Sequence, residues 1–256
     1  MISLGKNKIT KLLKDKKKIL GSNTYYNYHF YKFKEEINLN INCNKCFVYI
    51  LDGKNKNQNL KVNNNLINFK KGELIKIKKK KSDSILINTK HTISILIVYN
   101  KEKSNKEKRS SFEKFKNFYT VKKPWGYEQW LTGAYNKNFA FKKIFLKKGS
   151  KTSLQYHVKK IETNFLYSGN ANLHYCGQNL PLLKKYFFKI LNSTKKKKIA
   201  KGSIINVKPK TIHRIEAISN LTLFEVSSPH LSDVVRVSDD SNRPDGKIKD
   251  EHKKNS

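Results

Sequence analysis

The chain has 256 residues and a mass of 29.9 kDa, long enough for two units that each bury a core. Lysine and arginine total 55 against 19 aspartates and glutamates, a formal charge of +36. Only Arg109, Arg214, Arg236 and Arg243 are arginine, and base readout leans on arginine's planar fork. The runs Lys16 to Lys18, Lys78 to Lys81 and Lys195 to Lys198 lie far apart, without interleaved aromatics. This composition argues against a specific nucleic-acid reader.

The segment from Met1 to Leu20 interleaves lysine with isoleucine and leucine, so neither a membrane span nor a secretory leader is expected. Three cysteines do not make an even set of bridges. Cys43 and Cys46 form a lone C-x-x-C without the second pair a zinc ribbon needs, and Cys176 is the odd cysteine left over. A cytoplasmic, membrane-free protein is the expectation.

Taken in chain order, the first twenty residues read as helical or linker-like. Strands are then expected at Cys46 to Leu51, Leu60 to Val62, Leu66 to Phe69, Leu74 to Ile77, Ser84 to Asn88 and Ile93 to Tyr99, with a turn at Asp52-Gly53. The charged segment Lys101 to Phe118 breaks the alternation. It suggests residues 1–105 as one β domain, 106–119 as a linker and 120–256 as a second β domain. Strands in the latter are expected at Phe139 to Leu146, Ile161 to Tyr167, Ala171 to Tyr175, Tyr186 to Leu191, Ile204 to Val207, His213 to Ala217 and Leu221 to Val226. The polar tail after Asp239 should be loose or draped over the barrel. FVYILDG matches FLYSG in outline, and KKGELIKI matches AKGSIINV, which hints at tandem, related barrels.

Chemistry concentrates between Gly149 and Gly169, in GSKTSLQYHVKKIETNFLYSG. Residues two apart in a strand share a face, so Gln155 and His157 point together, and Glu162 opens the next strand. The later segment GSIINVKPKTIH supplies His213. Two imidazoles and a carboxylate, with Gln155 as a fourth donor, make a divalent-metal site for Zn, Mn, Fe, Ni or Co that leaves positions open for water or substrate. Arg236 and Arg243 are suited to grip a phosphate, or equally to pair with Asp239 or Asp240.

This pattern resembles the two cupin motifs, G-x5-H-x-H-x3,4-E-x6-G and G-x5-P-x-G-x2-H-x3-N. Gln155 stands in place of the first histidine, Lys208 and Lys210 in place of the proline and glycine, and Ala217 in place of the asparagine. The flanks KPWGYEQW, SLQYH and VVRVSDDSNR are similar to the cupin-type (type II) mannose-6-phosphate isomerases over Val121 to Arg243. Ser238, Ser241 and Asn242 depart from that family's last stretch. The resemblance implies an all-β fold of two double-stranded β-helices, the first a degenerate cupin lacking ligands, and a possible homodimer. It also implies an isomerase of a small sugar phosphate, with metal ligands Gln155, His157, Glu162 and His213 and substrate contacts from Arg236 and Arg243. The same triad also suits a cupin oxygenase, and the altered second motif suits a sugar-binding module without catalysis. His174, Tyr167 and Lys151 are candidates for a general base, none preferred.

Overall fold

The computed structural model describes residues 2–5, 16–53, 58–100, 109–132, 136–176 and 193–252. Among these, every regular element is a β-strand except a single 3-10 turn at Asp250–His252. The chain divides into two compact units, residues 10–118 and residues 1–9 with 119–256.

The unit of residues 10–118 contains β2 (Lys16–Ser22), β3 (Asn27–Leu39), β4 (Lys45–Asp52), β5 (Gln58–Val62), β6 (Asn65–Asn68), β7 (Leu74–Lys78), β8 (Ile85–Tyr99) and β9 (Ser111–Phe115). Its strands run in the order β2-β3-β8-β4-β7-β9, with β5 joined to β8 and β6 to β5. The backbone of this unit turns on β3 and β8, 13 and 15 residues long. Their pairing breaks register between Phe33 and Glu35, where Glu35 adopts a φ of 75°. Such a bulge adds local twist and lets one long strand serve both faces of a rolled sheet. The interior is closed by Tyr31, Phe33, Ile41, Cys46, Val48, Ile85, Ile95 and further aliphatic residues.

The other unit contains β1 (Ile2–Gly5), β10 (Tyr119–Lys123), β11 (Gly126–Trp130), β12 (Ala140–Leu146), β13 (Leu154–Tyr156), β14 (Glu162–Ser168), β15 (Asn170–Cys176), β16 (Lys195–Ala200), β17 (Ile204–Val207), β18 (Ile212–Ala217), β19 (Leu221–Ser227) and β20 (Val235–Ser238). A seven-stranded sheet, β1-β17-β14-β19-β12-β11-β10, accompanies a five-stranded one, β16-β15-β18-β13-β20. Trp125, Leu146, Leu166, Leu173, Val207, Leu221 and their neighbours form its apolar core. This is the double-stranded β-helix that the resemblance implied, built from the all-β strands that the alternating patterns predicted.

Several details depart from the sequence reading. Ile2–Gly5 is a strand that pairs with β17, so the first residues belong with the second unit. Ser111–Phe115, expected within a linker, pairs with β7. Glu113 and Lys114 hid it, since an edge strand facing solvent carries charge. The expected strands at Ser84 to Asn88 and Ile93 to Tyr99 are one continuous β8, and β3 was not foreseen. In β3 both faces are buried over Asn27 to Tyr31, which erases the alternation by which a half-buried strand is read. The lysine run Lys195 to Lys198, where no strand was expected, lies in the edge strand β16. The strand expected at Tyr186 to Leu191 lies outside the described residues.

The two units repeat one backbone device. Gly72 N–H donates to Ile50 O at 2.9 Å and Gly202 N–H to Leu166 O at 2.7 Å, while Ile50 N–H reaches Glu73 O and Leu166 N–H reaches Ser203 O. Gly53 and Gly169 each follow three residues after those acceptors. Gly169 holds φ at 87°, and a Cβ there would lie 2.5 Å from Asn220 O, so only glycine fits.

Candidate metal centre

β14 begins at Glu162, and its alternation sends Glu162, Asn164 and Leu166 to the barrel interior. β18 delivers His213, directly opposite Gln155 on β13. A facing pair shares one side of a sheet, so Gln155 and His213 lie together, and Gln155 lines the cavity described below. His157 follows β13, its carbonyl held by Lys210 N–H at 2.6 Å. The carboxylate and imidazole donor atoms of His157, Glu162 and His213 all lie within 4.8 Å of one another. Their relative exposures are 0%, 3% and 6%. Glu162 Oε1 is 3.1 Å from His157 Nε2, and Glu162 Oε2 is 3.5 Å from His213 Nε2.

Backbone carbonyls settle how the imidazoles face. His157 Nδ1 donates to Asp233 O, and His213 Nδ1 donates to Thr211 O at 3.0 Å. With the proton on Nδ1, each ring turns an Nε2 lone pair toward the other ligands, the arrangement that metal-binding histidines require. His157 Nε2 is buried and has no hydrogen-bond partner. An orphaned lone pair between a second imidazole and a carboxylate fits a divalent cation. The mixed nitrogen and oxygen donors suit Mn, Fe, Co, Ni or Zn without choosing among them.

The layer beside the triad is polar. Asn164, Glu225, Lys142 and Trp130 stand in successive register across β14, β19, β12 and β11. Lys160 Nζ donates to Glu162 Oε1 and lies 3.1 Å from Glu225 Oε1. Lys142 Nζ is 3.8 Å from Glu225, 3.2 Å from Glu128 and 4.5 Å from the Trp130 ring centroid. Lys123 closes the row, 3.9 Å from Glu128 and 2.7 Å from Glu251. Alternating ammoniums and carboxylates thus run from the triad to the C-terminal segment. Burial by itself would raise the Glu162 carboxyl, but Lys160 and His157 hold it well below the usual range. Burial likewise opposes ionisation of Glu128, and Lys142 and Lys123 override it, bringing Glu128 to about 2. Lys160, flanked by Glu162 and Glu225, is raised despite its burial.

A cavity of about 120 Å³ opens on this row, lined by Trp125, Trp130, Gln155, Glu162 and His213 among others. That is room for about four waters at liquid density. Arg236 and Arg243 line it too, but mainly bind protein. Arg243 Nη2 donates to Asp239 Oδ2 at 2.7 Å and Ser153 Oγ at 3.1 Å, and Nη1 to Glu251 at 3.3 Å. Arg236 donates to Ser153 Oγ, Pro244 O and Gly246 O. The tail is therefore draped and pinned, and the ion pair with Asp239 that the sequence allowed is formed. His174 sits elsewhere, bonded to Glu216 at 2.8 Å, and neither Tyr167 nor Lys151 lines the cavity.

Sequence reasoning missed Lys142, Lys160 and Glu225. Their signal was present: Lys142 shares a strand face with Ile144 and Leu146, and Glu225 with Leu221 and Leu223. A charge on an otherwise apolar face marks a lined interior.

In the unit of residues 10–118 the equivalent positions are apolar. Cys46 pairs with Ile77 and Tyr99 as Glu162 pairs with Val207 and Ser227. Following the same registers, Ile41 and Ile85 take the places of His157 and His213, and all three residues belong to the closed core. Cys43 and Cys46 are buried and not joined in a disulfide. Among the described residues, the triad is the one group of three or more metal-capable side chains.

Fold and site together define a double-stranded β-helix, repeated twice, whose second barrel gathers the donor set of a metal centre. Similar solved structures include the oxalate decarboxylase of Bacillus subtilis, a protein with Mn(II) centres. It superposes with a TM-score of 0.59 at 10% identity, covering 83% of this chain and 71% of that one. A structure of the same enzyme at pH 4.6 gives 0.54 at 10% identity, covering 79% and 68%. At such identity the likeness is one of fold. No family model matches the chain, and no curated protein does.

Proposed function

We propose that the second barrel is a metal-dependent isomerase of a small sugar phosphate, interconverting aldose and ketose by moving a proton between adjacent carbons. One observation carries the reading: the three stretches similar to type II mannose-6-phosphate isomerases all line one cavity. Trp125, Glu128 and Trp130 come from the first, Ser153 and Gln155 from the second, and Arg236 and Arg243 from the third. Lys123, Lys142, Lys160, Arg236, Arg243 and Lys247 face Glu128, Glu162 and Glu225 there, an excess of cations that favours an anionic substrate.

His157, Glu162 and His213, with Gln155 beside them, would hold the ion. Bound there, a divalent cation supplies polarisation of the substrate carbonyl and its neighbouring hydroxyl, easing loss of the proton between them. The rest falls to the chain. Trp125 and Trp130 offer apolar faces to the sugar's C–H edges. The pinned tail limits water at the mouth. Glu225, which shares the Lys160 ammonium with Glu162, is the carboxylate we place in proton transfer: it would accept the proton from one carbon and return it to the next.

The test is conversion of mannose 6-phosphate to fructose 6-phosphate by protein loaded in turn with Mn, Fe, Co, Ni and Zn. Turnover that falls at least 100-fold in His157→Ala and His213→Ala supports the reading. Thermal stabilisation by the sugar phosphate without turnover would mean a binding module. Oxygen consumption by the iron form, or decarboxylation of oxalate, would replace the isomerase with another metal chemistry.

A further inference from the structure

Asp233 lies between β19 and β20, more than seventy residues from His157, and makes four contacts with the loop that carries the triad. Its Oδ1 accepts Val158 N–H at 2.9 Å, and its Oδ2 accepts Lys159 N–H at 2.6 Å and Lys160 N–H at 2.8 Å. Its main-chain carbonyl takes the His157 Nδ1 proton. Three consecutive amides converge on one carboxylate, just where the chain must turn from His157 to bring Glu162 back into the barrel. Burial opposes its charge, but those amides hold the carboxyl below its ordinary range.

We infer that Asp233 is the positioning residue of the metal centre: its side chain sets the 157–162 turn, and its carbonyl fixes the His157 tautomer. The two functions are linked because both ends of one residue grip one loop. If the carboxylate lets go, the carbonyl has no reason to stay under Nδ1, and the Nε2 lone pair loses its aim. An outer partner of this kind typically governs metal affinity 10- to 100-fold. The inference rests on the reading of His157, Glu162 and His213 as metal ligands, and it does not depend on the substrate.

The experiment titrates Co(II) into the metal-stripped full chain, following visible absorption and competition with a chelator, and measures thermal unfolding of each stripped variant. Asp233→Ala should bind Co(II) about 10- to 100-fold more weakly and with an altered absorption band. Asp233→Asn keeps one accepting oxygen and should fall between Asp233→Ala and the parent. Asp240→Ala, on the same segment but paired with Arg214, should bind as the parent does. Should Asp233→Ala fail to fold, the near-isosteric Asp233→Asn decides alone. Parental affinity and spectrum in Asp233→Asn and in any folded Asp233→Ala, with binding lost in His157→Ala, would overturn the positioning role and leave the metal site standing. Parental binding in His157→Ala as well would remove the metal site itself.

Discussion

Glu128 shows how a single buried charge is kept by its neighbours. Its side chain is 13% exposed, and the ammoniums of Lys123 and Lys142 stand at 3.9 and 3.2 Å. The folded-state pKa of about 2 lies below the ordinary 4.5, so the carboxylate's contribution is complete above about pH 4.5 and is lost as pH falls toward 2. The gap corresponds to about 3 kcal/mol. Urea unfolding should show a loss of that order across the window, and Glu128→Gln should lower stability at pH 7 while weakening the acid dependence. An unchanged acid profile in Glu128→Gln would show that the loss comes from other groups. At the same scale, Lys210 holds a φ of 61° where the cupin motif has glycine, so the turn keeps its left-handed conformation although the residue there now carries a side chain. Gly126 cannot vary so freely: a Cβ would meet Phe145 O at 2.0 Å. That close approach of β11 to β12 accounts for the glycine in the PWG stretch.

Among elements, β1 closes one edge of the seven-stranded sheet. Through it β17 is paired on both sides, by Ile2–Gly5 and by Glu162 to Phe165 of β14. Without it, β17 becomes an edge with open N–H and C=O groups, the kind that recruits other chains. Deleting residues 1–9 should speed amide exchange at Ile204 to Val207 and promote aggregation, read by hydrogen exchange and light scattering. Exchange at those amides unchanged from the parent would mean that β1 adds nothing. β14, β17, β18 and β19 were legible because each alternates or forms a short apolar run between turn residues. β1, β9 and β16 were not, because β1 and β9 are too short to show a period and β16 is mostly lysine.

Across the whole chain, two copies of one roll have divided their use. Ile41, Cys46 and Ile85 close the first interior where His157, Glu162 and His213 open the second. Elemental analysis of the metal-loaded protein should therefore find one ion per chain. Ion at 100 times its Kd should stabilise the fold by about 2.7 kcal/mol, seen as a rise in unfolding midpoint. Two ions per chain, or none, would contradict this division of roles. No helix among the described residues is long and apolar enough to cross a membrane.

Local chemistry in the sequence was enough for the all-β class and the glycines of the turns, and it singled out His157, Glu162 and His213, which the fold brings together. The first two depend on spacing within single strands and turns and the third on motif spacing in three short stretches, and side-chain direction in a strand follows from the alternation of the backbone. What only tertiary structure decided was which charges meet. Lys142, Lys160, Glu128 and Glu225 come from four separate stretches, and in sequence they are four among many charged residues. Asp233 reaches the triad across more than seventy residues, and Arg236 and Arg243 turn out to pin a tail. Such contacts arise from barrel closure, which brings distant strands into register, and no local pattern encodes that.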